Sequence, residues 1–480
     1  MRVWVLQYGR SSLLNHPPLE EAASHPTHRR QDSSSEVQAA IINDARSGVA
    51  PSQTPARLLN DNPNISIRHR DVYNLQSRIQ NGQLSESLLL HDVAIPPVAS
   101  ISMTTPLVHP PPLRPGDTIA FVAPSSGLAA LVPHRLYKAA HELQRLGYRV
   151  KIFPSVSRKP QDNVAALVDA HARLGTPLDP ELYDAALPCY GSASAQTRAE
   201  ELMSAFLDPE IKAIVCTIGG LNCHELFEYL DFAAIRAHPK IFSGFSDITS
   251  LHLALQSQAR LVTFYGPSAI CQFGEFPEPM AYTMTHWWKA VASAEPIGAV
   301  LPSREWTDDK TANWLTQADT TYRPIMKPNA GYTWLRPGRA SGRLIGGCLP
   351  VLLNVRGSKY MPALDGAVLL LETSEHNERF DEGMPLHEIN MLLGALRVDG
   401  TFTRIAGLVV GRVFAHSPEN VREIQRLIKY HTRDATFPIL YGVDTGHTNP
   451  ILTLPLGCRV TLDASTDLFS IDEAGVKNAR

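Results

Sequence analysis

From Leu113 onward, short apolar runs rich in β-branched residues alternate with stretches of helical period. The series reads DTIAFVAPSS, HRLYKAAHELQRLG, YRVKIFPSV, TRAEELMSAFLDP, IKAIVCTIGG, ELFEYLDFAAIRA, PKIFSGFS, ITSLHLALQSQ and LVTFYGPS. Strands separated by helices need crossover connections, which are right-handed and lay helices over both faces of a parallel sheet. The expected fold class is therefore α/β, with an open parallel-sheet N-terminal domain. In such sheets ligands sit at the carboxyl ends of the strands. TIGGLN after Ile211–Cys216 and GFSD after Lys240–Phe242 both fall there, so two loops suited to chemistry share one edge.

A second set of βα units follows: GRLIGGCLPVLLNVRG, GAVLLLETS, HEINMLLGALR, RIAGLVVGRVF, ENVREIQRLIKYH, PILYGVDTGH and CRVTLDA. It reads as a smaller C-terminal α/β domain with its own sheet. Between the two sets, WWKAVASAEP, SREWTDDKTANWL and KPNAGYTWLRPG show tryptophans and prolines but no clear period, as in an elaborated connection or a lid. Before them all, Ser, Pro, Asn, Gln and His dominate, and sustained periodicity is missing apart from one amphipathic stretch around Val37–Arg46. That composition predicts a disordered N-terminal extension, closed by the stiff proline cluster VHPPPLRPGD. The expected layout is extension and linker 1–111, N-terminal domain 112–286, connection or lid 287–340, C-terminal domain 341–470 and tail 471–480.

The charge balance narrows the function. With 44 basic against 47 acidic residues and a formal net charge of -3, no long-range field draws the chain to nucleic acid or an anionic membrane. The six cysteines form no CxxC pair, which argues against a zinc ribbon or a disulfide framework and for reduced, buried thiols. The first residues lack the apolar core of a secretion signal, and no run reaches membrane-spanning length. A cytoplasmic enzyme is the expectation; early arginines and the lack of acids before Glu20 leave an organelle targeting segment as the alternative.

Within KIFSGFSDITSLHLAL, which begins at Lys240, an apolar run stops at Gly244 and an amphipathic segment starts directly after Ser246–Asp247. A serine on a strand-to-helix corner is lifted clear of the sheet, and the next N–H points at any oxyanion it creates. The competing reading makes Ser246 or Asp247 a cap for a helix starting near Ile248. Ile248 also stands where the G-x-S-x-G elbow has its last glycine, which argues against ordinary α/β-hydrolase membership. A nucleophilic serine needs a base held by an acid. Of 18 histidines, His447 is the best placed, in the polar turn DTGHTNPILTLPLG directly after PILYGV; others such as His141, His252 and His431 sit in amphipathic helices. Glu372 ends the run GAVLLLE, and a carboxylate is expensive to bury there unless something pairs with it. It either serves as that acid or faces solvent at the strand end, with Glu375 as its substitute.

In this order, IGGLN, GFSDIT, FYGPS with FGEF, SGRLIGGC, LLLE and DTGHTNPILTLPLG resemble the LD-carboxypeptidase family of serine peptidases, particularly its microcin C immunity branch. The likeness runs from about Pro112 to about Ala464 and leaves the N-terminal stretch uncovered. It implies a Ser-Glu-His triad split between two domains, with Ser246 as nucleophile, His447 as general base and then acid, and Glu372 as orienter. The oxyanion hole would come from the backbone N–H groups of Gly220 and Asp247. The resemblance further implies a homodimer and no metal or organic cofactor. Substrates of such a family are peptide-like amides joining an L- to a D-residue or carrying a free carboxylate. In the immunity branch the amide joins an aminoacyl group to a nucleotide-like part. IGGLNCHEL and FYGPSAICQFGEFPEP look closer to that branch, so Gly219, Asn222, Glu275 and Trp306 become candidates for substrate contact. Trp306, like Trp314, either stacks on a substrate ring or packs the connection onto the domains. Cys348 and Cys223 depart from the small polar residues usual at their positions and bear on pocket shape.

Two other classes compete: a non-catalytic α/β binding protein, and a biosynthetic hydrolase or acyltransferase acting on a specialised metabolite. Filled triad positions argue against the first; the second shares the triad and differs only in acceptor or leaving group.

Overall fold

The structure, a computed structural model, describes residues 105–159, 162, 191–309, 311–376, 379 and 381–478. The expected disordered extension and the Val37–Arg46 stretch lie outside the described residues.

β1 (Thr118–Val122), β2 (Arg149–Ile152), β3 (Ile211–Cys216), β4 (Ile241–Gly244) and β5 (Thr263–Tyr265) pair in parallel in the order 5-4-3-1-2. β1 and β4 are buried along their whole length, as continuous apolar runs in a parallel sheet should be. Helix α1 (Pro133–Arg145) follows β1 with proline in its first turn, where a missing N–H costs nothing. Helix α2 (Ala195–Leu207) precedes β3 and is capped by Ser194, whose hydroxyl accepts from the Thr197 N–H. The periodic segments of the sequence thus become the expected open α/β sheet.

The second sheet is wider. β6 (Gly298–Ala299), β9 (Thr333–Arg336), β10 (Arg339–Cys348), β11 (Val368–Glu372), β12 (Gly407–Gly411), β13 (Ile439–Val443), β15 (Arg459–Asp463) and β16 (Leu468–Ile471) adopt the order 6-16-15-10-11-12-13-9. Its centre, β10 to β13, is parallel. β10 belongs to two ladders: Arg339–Arg343 pair antiparallel with β15, and Leu344–Cys348 pair parallel with β11. One strand leaves its half of the chain. β14 (Leu454–Leu456) pairs antiparallel with β5 and so completes the first sheet.

The connection is more built than its sequence suggests. It begins inside the helix Ala281–Val291, and β6 pairs with β16. Short strands β7 (Glu305–Trp306) and β8 (Lys327–Pro328) form a ribbon of their own. Arg135, buried on α1, donates to Asp319 (2.7 Å) and to the Ile270 and Cys271 carbonyls, fastening the connection to the first sheet's layer. Linker and tail residues also pack: Val108 bridges Leu261, and the Lys477 N–H donates to the Pro110 carbonyl. No helix among the described residues is long and apolar enough to cross a membrane.

His252, read from sequence as a residue of an amphipathic helix, is fully buried instead. One ring nitrogen faces the Gly244 carbonyl (2.9 Å) and the other the Thr263 hydroxyl (2.8 Å), so a neutral ring donating from Nε2 satisfies both. Burial pushes its pKa from 6.5 down to about 4. The unfolded chain takes up that proton first as pH falls, so the stabilisation is complete above 6.5 and lost progressively towards 4, by roughly 3 kcal/mol. We expect His252→Gln to lower the Tm at pH 7 yet flatten its fall between pH 6.5 and 4.5. Thermal unfolding across that range checks this, and parallel wild-type and variant curves would refute it.

Candidate active site

The apolar run of β4 ends at Gly244, where an added Cβ would lie 3.0 Å from Ile248 and 3.1 Å from the Cys216 Cβ. The chain turns sharply, and Ser246 takes a φ of 63°, a left-handed backbone uncommon for a residue with a Cβ. A 3-10 turn (Ser246–Ile248) and helix α3 (Thr249–Ala254) follow, and neither has a side-chain cap hydrogen bond. The capping alternative is therefore not what this corner does. Asp247 turns its buried carboxylate backwards, accepting from the Ser125 hydroxyl (2.6 Å) and the Cys223 N–H (2.9 Å). Those bonds tie the APSS turn after β1 and the glycine loop after β3 to the corner after β4.

Ser246 remains half-buried, its Oγ 3.0 Å from Nε2 of His447. His447 lies in the turn after β13, and its Nδ1 meets Glu372 at 2.8 Å. Glu372 ends β11, is 1 % exposed, and accepts a second hydrogen bond, from the Tyr265 hydroxyl at 2.6 Å. Its burial is thus compensated by two donors, which excludes the solvent-facing alternative. With an ionised carboxylate on Nδ1, the neutral ring carries its proton there and offers Nε2 to the serine. Tyr265 closes the circuit, since its oxygen also accepts from the Ser246 N–H (3.1 Å). Burial, and then the Glu372 charge, push this phenol well above its ordinary pKa, so it stays a donor. Phe245 packs edge-on against the imidazole. Gly446, at φ 102°, has to be glycine because a Cβ would lie 2.6 Å from the Glu372 carboxylate.

The glycine pair lies directly against the serine. A Cβ on Gly219 would sit 2.8 Å from the Ser246 Cβ, 3.0 Å from its Oγ and 3.1 Å from the Asp247 nitrogen. A side chain at this position would press on both the hydroxyl and the next N–H, so glycine is what leaves the space beside them open. Gly220, at φ 153°, packs against the Ser125–Ser126 turn. Asn222 has its amide oxygen taken by Arg198 (3.1 Å), with the Ser125 oxygen 3.2 Å away. Glu275 is buried, and its N–H donates to the Gln272 carbonyl. Trp306 carries the Lys327 ammonium 4.8 Å and the Arg412 guanidinium 4.6 Å from its ring centre, while Trp314 stacks on Arg135 at 3.9 Å. The connection also reaches the histidine turn, through paired Thr307 and Asn449 backbones (2.7 and 2.9 Å). Cys348 is the register partner of Glu372 and Cys223 adjoins Asp247; burial raises both thiols well above their usual pKa.

Tyr265 was missed as a site residue by sequence reasoning, although it stands in the quoted FYGPS. A tyrosine ending a short, mostly apolar run such as LVTFY must find a hydrogen-bond partner when the run is buried, and that was the available signal.

Comparison with known proteins places the chain in a family. Residues 119–266 match the model of the LD-carboxypeptidase N-terminal domain, and residues 341–462 match that of the C-terminal domain. The chain belongs to the LD-carboxypeptidase family. A Vibrio cholerae protein that carries a provisional carboxypeptidase name is 31% identical over 366 residues, 75% of this chain and 97% of its own. The microcin C7 self-immunity protein MccF of Escherichia coli is 29% identical, over 75% of this chain and 95% of its own. The solved structure of MccF in complex with glutamyl sulfamoyl guanosine superimposes with a TM-score of 0.65 at 26% identity, covering 77% of this chain and 99% of that one. An LD-carboxypeptidase family member with this two-sheet architecture is a mixed α/β protein from a family of peptidases, as the sequence motifs implied.

Proposed function

We propose that this family member is a serine hydrolase that cleaves small peptide-like amides through an acyl-enzyme. The observation that carries the reading is the unbroken run of hydrogen bonds from Ser246 Oγ through His447 to the buried Glu372, at 3.0 and 2.8 Å. Ser246 attacks the amide carbonyl while His447 takes its proton on Nε2; the resulting imidazolium is stabilised by Glu372 and gives the proton to the leaving nitrogen. Water, activated by the same ring, then releases the acyl group. The N–H groups of Asp247 and Gly220 supply the oxyanion hole, in the pocket that the bare Gly219 Cα leaves open. The reaction calls on no metal or organic cofactor.

MccF has been solved with glutamyl sulfamoyl guanosine and with aspartyl sulfamoyl adenosine, both aminoacyl-nucleotide-like. Together with the IGGLN and FGEF loops, this supports an amide between an aminoacyl group and a nucleotide-like part as the first substrate class to test, with L,D-peptides as the second. Glu275, Asn222 and Trp306 belong to this proposal as residues of the pocket wall. A homodimer in the cytoplasm is part of the same reading, and sedimentation and tagged imaging test it.

Intact-mass analysis after incubation with a fluorophosphonate probe tests the nucleophile. One adduct is expected on wild type and none on Ser246→Ala or His447→Ala. Folded wild type that neither takes the label nor cleaves either amide class would overturn the reading in favour of a binding protein. Resolving hydrolysis from aminolysis products separates hydrolase from acyltransferase. Gly219→Ala should lower kcat/KM by about 10² or more, because its Cβ would push the Ser246 side chain and the Asp247 N–H out of place; unchanged kinetics would remove this pocket from the mechanism.

A further inference from the structure

The reading above leaves Glu375 unused. Its Oε2 nevertheless lies 3.3 Å from Nε2 of His447, the same nitrogen that meets Ser246 Oγ at 3.0 Å. Glu375 stands three residues beyond the end of β11, on a turn closed by its bridge to Gly383, and its side chain is 21% exposed. Nδ1 of His447 already donates to Glu372. In a neutral ring Nε2 presents only a lone pair, which can accept from the Ser246 hydroxyl, and that lone pair facing a carboxylate oxygen at 3.3 Å is repulsive. The contact turns attractive once a proton is added to the pair and makes the ring a cation.

The surroundings decide where that proton rests. Glu372 and the Tyr265 phenol stand behind Nδ1, Ser246 and Phe245 border the ring at the corner, and Asp247 follows one residue on. The Cys348 thiol, opposite Glu372, stays neutral because burial and these carboxylates raise its pKa. Arg412, just past β12, is taken up by the buried Asp444 at 2.6 Å. The carboxylates of Glu372 and Glu375 stand at the two ring nitrogens, which favours the imidazolium.

We propose that Glu375 is a positioning residue that holds His447 protonated on Nε2 while the site is empty. Given His447 as general base, that proton must leave before Ser246 can transfer its own. The leaving-group nitrogen has to reach Nε2 to collect a proton, so an entering substrate displaces Glu375 from this position. The Nε2 proton then passes to water, and the bare nitrogen accepts from the serine. The enzyme is thereby kept from activating its serine until a substrate occupies the leaving-group side.

The test is a pH titration of His447 by NMR in the full chain with isotope-labelled histidine, its signal assigned by its loss in His447→Gln. The pKa should fall by about one pH unit or more in Glu375→Gln, where the attraction to the charged ring is removed, with Glu375→Asp falling between. Because the side chain is partly exposed, Glu375→Ala empties no core and serves as a second variant should Glu375→Gln fold poorly. Coincident titrations in wild type and variants would overturn the proposal. In parallel, fluorophosphonate labelling at a pH below both midpoints should run about tenfold faster in Glu375→Gln if its His447 midpoint lies one pH unit lower. If the His447 midpoint moves but no serine is labelled and no amide cleaved, the hydrolase reading fails and the proton-holding role stands. If Ser246 is labelled but the titrations coincide, the role of Glu375 fails and the hydrolase reading stands.

Discussion

Ser246→Ala is expected to lower kcat on a cleavable amide by on the order of 10⁵–10⁶, leaving only what binding and the oxyanion donors contribute. The loss should fall on kcat rather than KM, because the hydroxyl removed forms a bond only during reaction. Folding should be unaffected, since Ser246 caps no helix and its main structural bond, from its N–H to the Tyr265 oxygen, is retained in alanine. Steady-state kinetics with matched thermal melts checks both halves. Residual activity within tenfold of wild type would mean that another group attacks the substrate.

The second large effect is expected from Glu372→Gln, at about 10⁴ in kcat. The amide is nearly isosteric, so the Tyr265 hydroxyl can still donate to Oε1. The other amide position now presents N–H to His447 Nδ1 instead of an acceptor. The ring answers by moving its own proton to Nε2, which faces both Ser246 and Glu375. A base already protonated on its working nitrogen cannot take the serine's proton. The same variant should lose the fluorophosphonate adduct at pH 7, and undiminished labelling would show that Glu372 does not set the tautomer.

Much of this site was legible because each principal residue breaks a local pattern. Ser246 follows an apolar strand where a helix begins, Glu372 terminates an uninterrupted apolar run, and His447 stands in a polar turn between glycine and threonine. Such breaks show that a residue is out of place for packing but not which partner it meets. Tyr265 escaped for that reason: its two partners are 19 and 107 residues away and come together only through strand order and register. Asp247 was assigned a role for its N–H, while its carboxylate proved to gather three loops, a matter of side-chain direction at one corner. The fold was readable in its central parallel strands, such as β1, β4, β11 and β12, whose buried runs are continuous. β14 was not, because LPL is three residues long and its assignment to the first sheet depends on tertiary packing.

That crossing strand has a consequence for how the protein is made. A ribosome releases the five parallel strands of the first sheet by Tyr265, yet the sheet's outer neighbour, Leu454–Leu456, leaves about 190 residues later. At ordinary elongation rates of about 5–20 residues per second, this leaves β5 as an open edge for roughly 10–40 seconds on every nascent chain. Its length of three residues gives a neighbouring chain little to pair with during that wait. Ser246 is therefore synthesised early on an unfinished sheet, and the strand that finishes it follows His447 by only a few residues, so sheet closure and the arrival of His447 are nearly one event in biosynthesis.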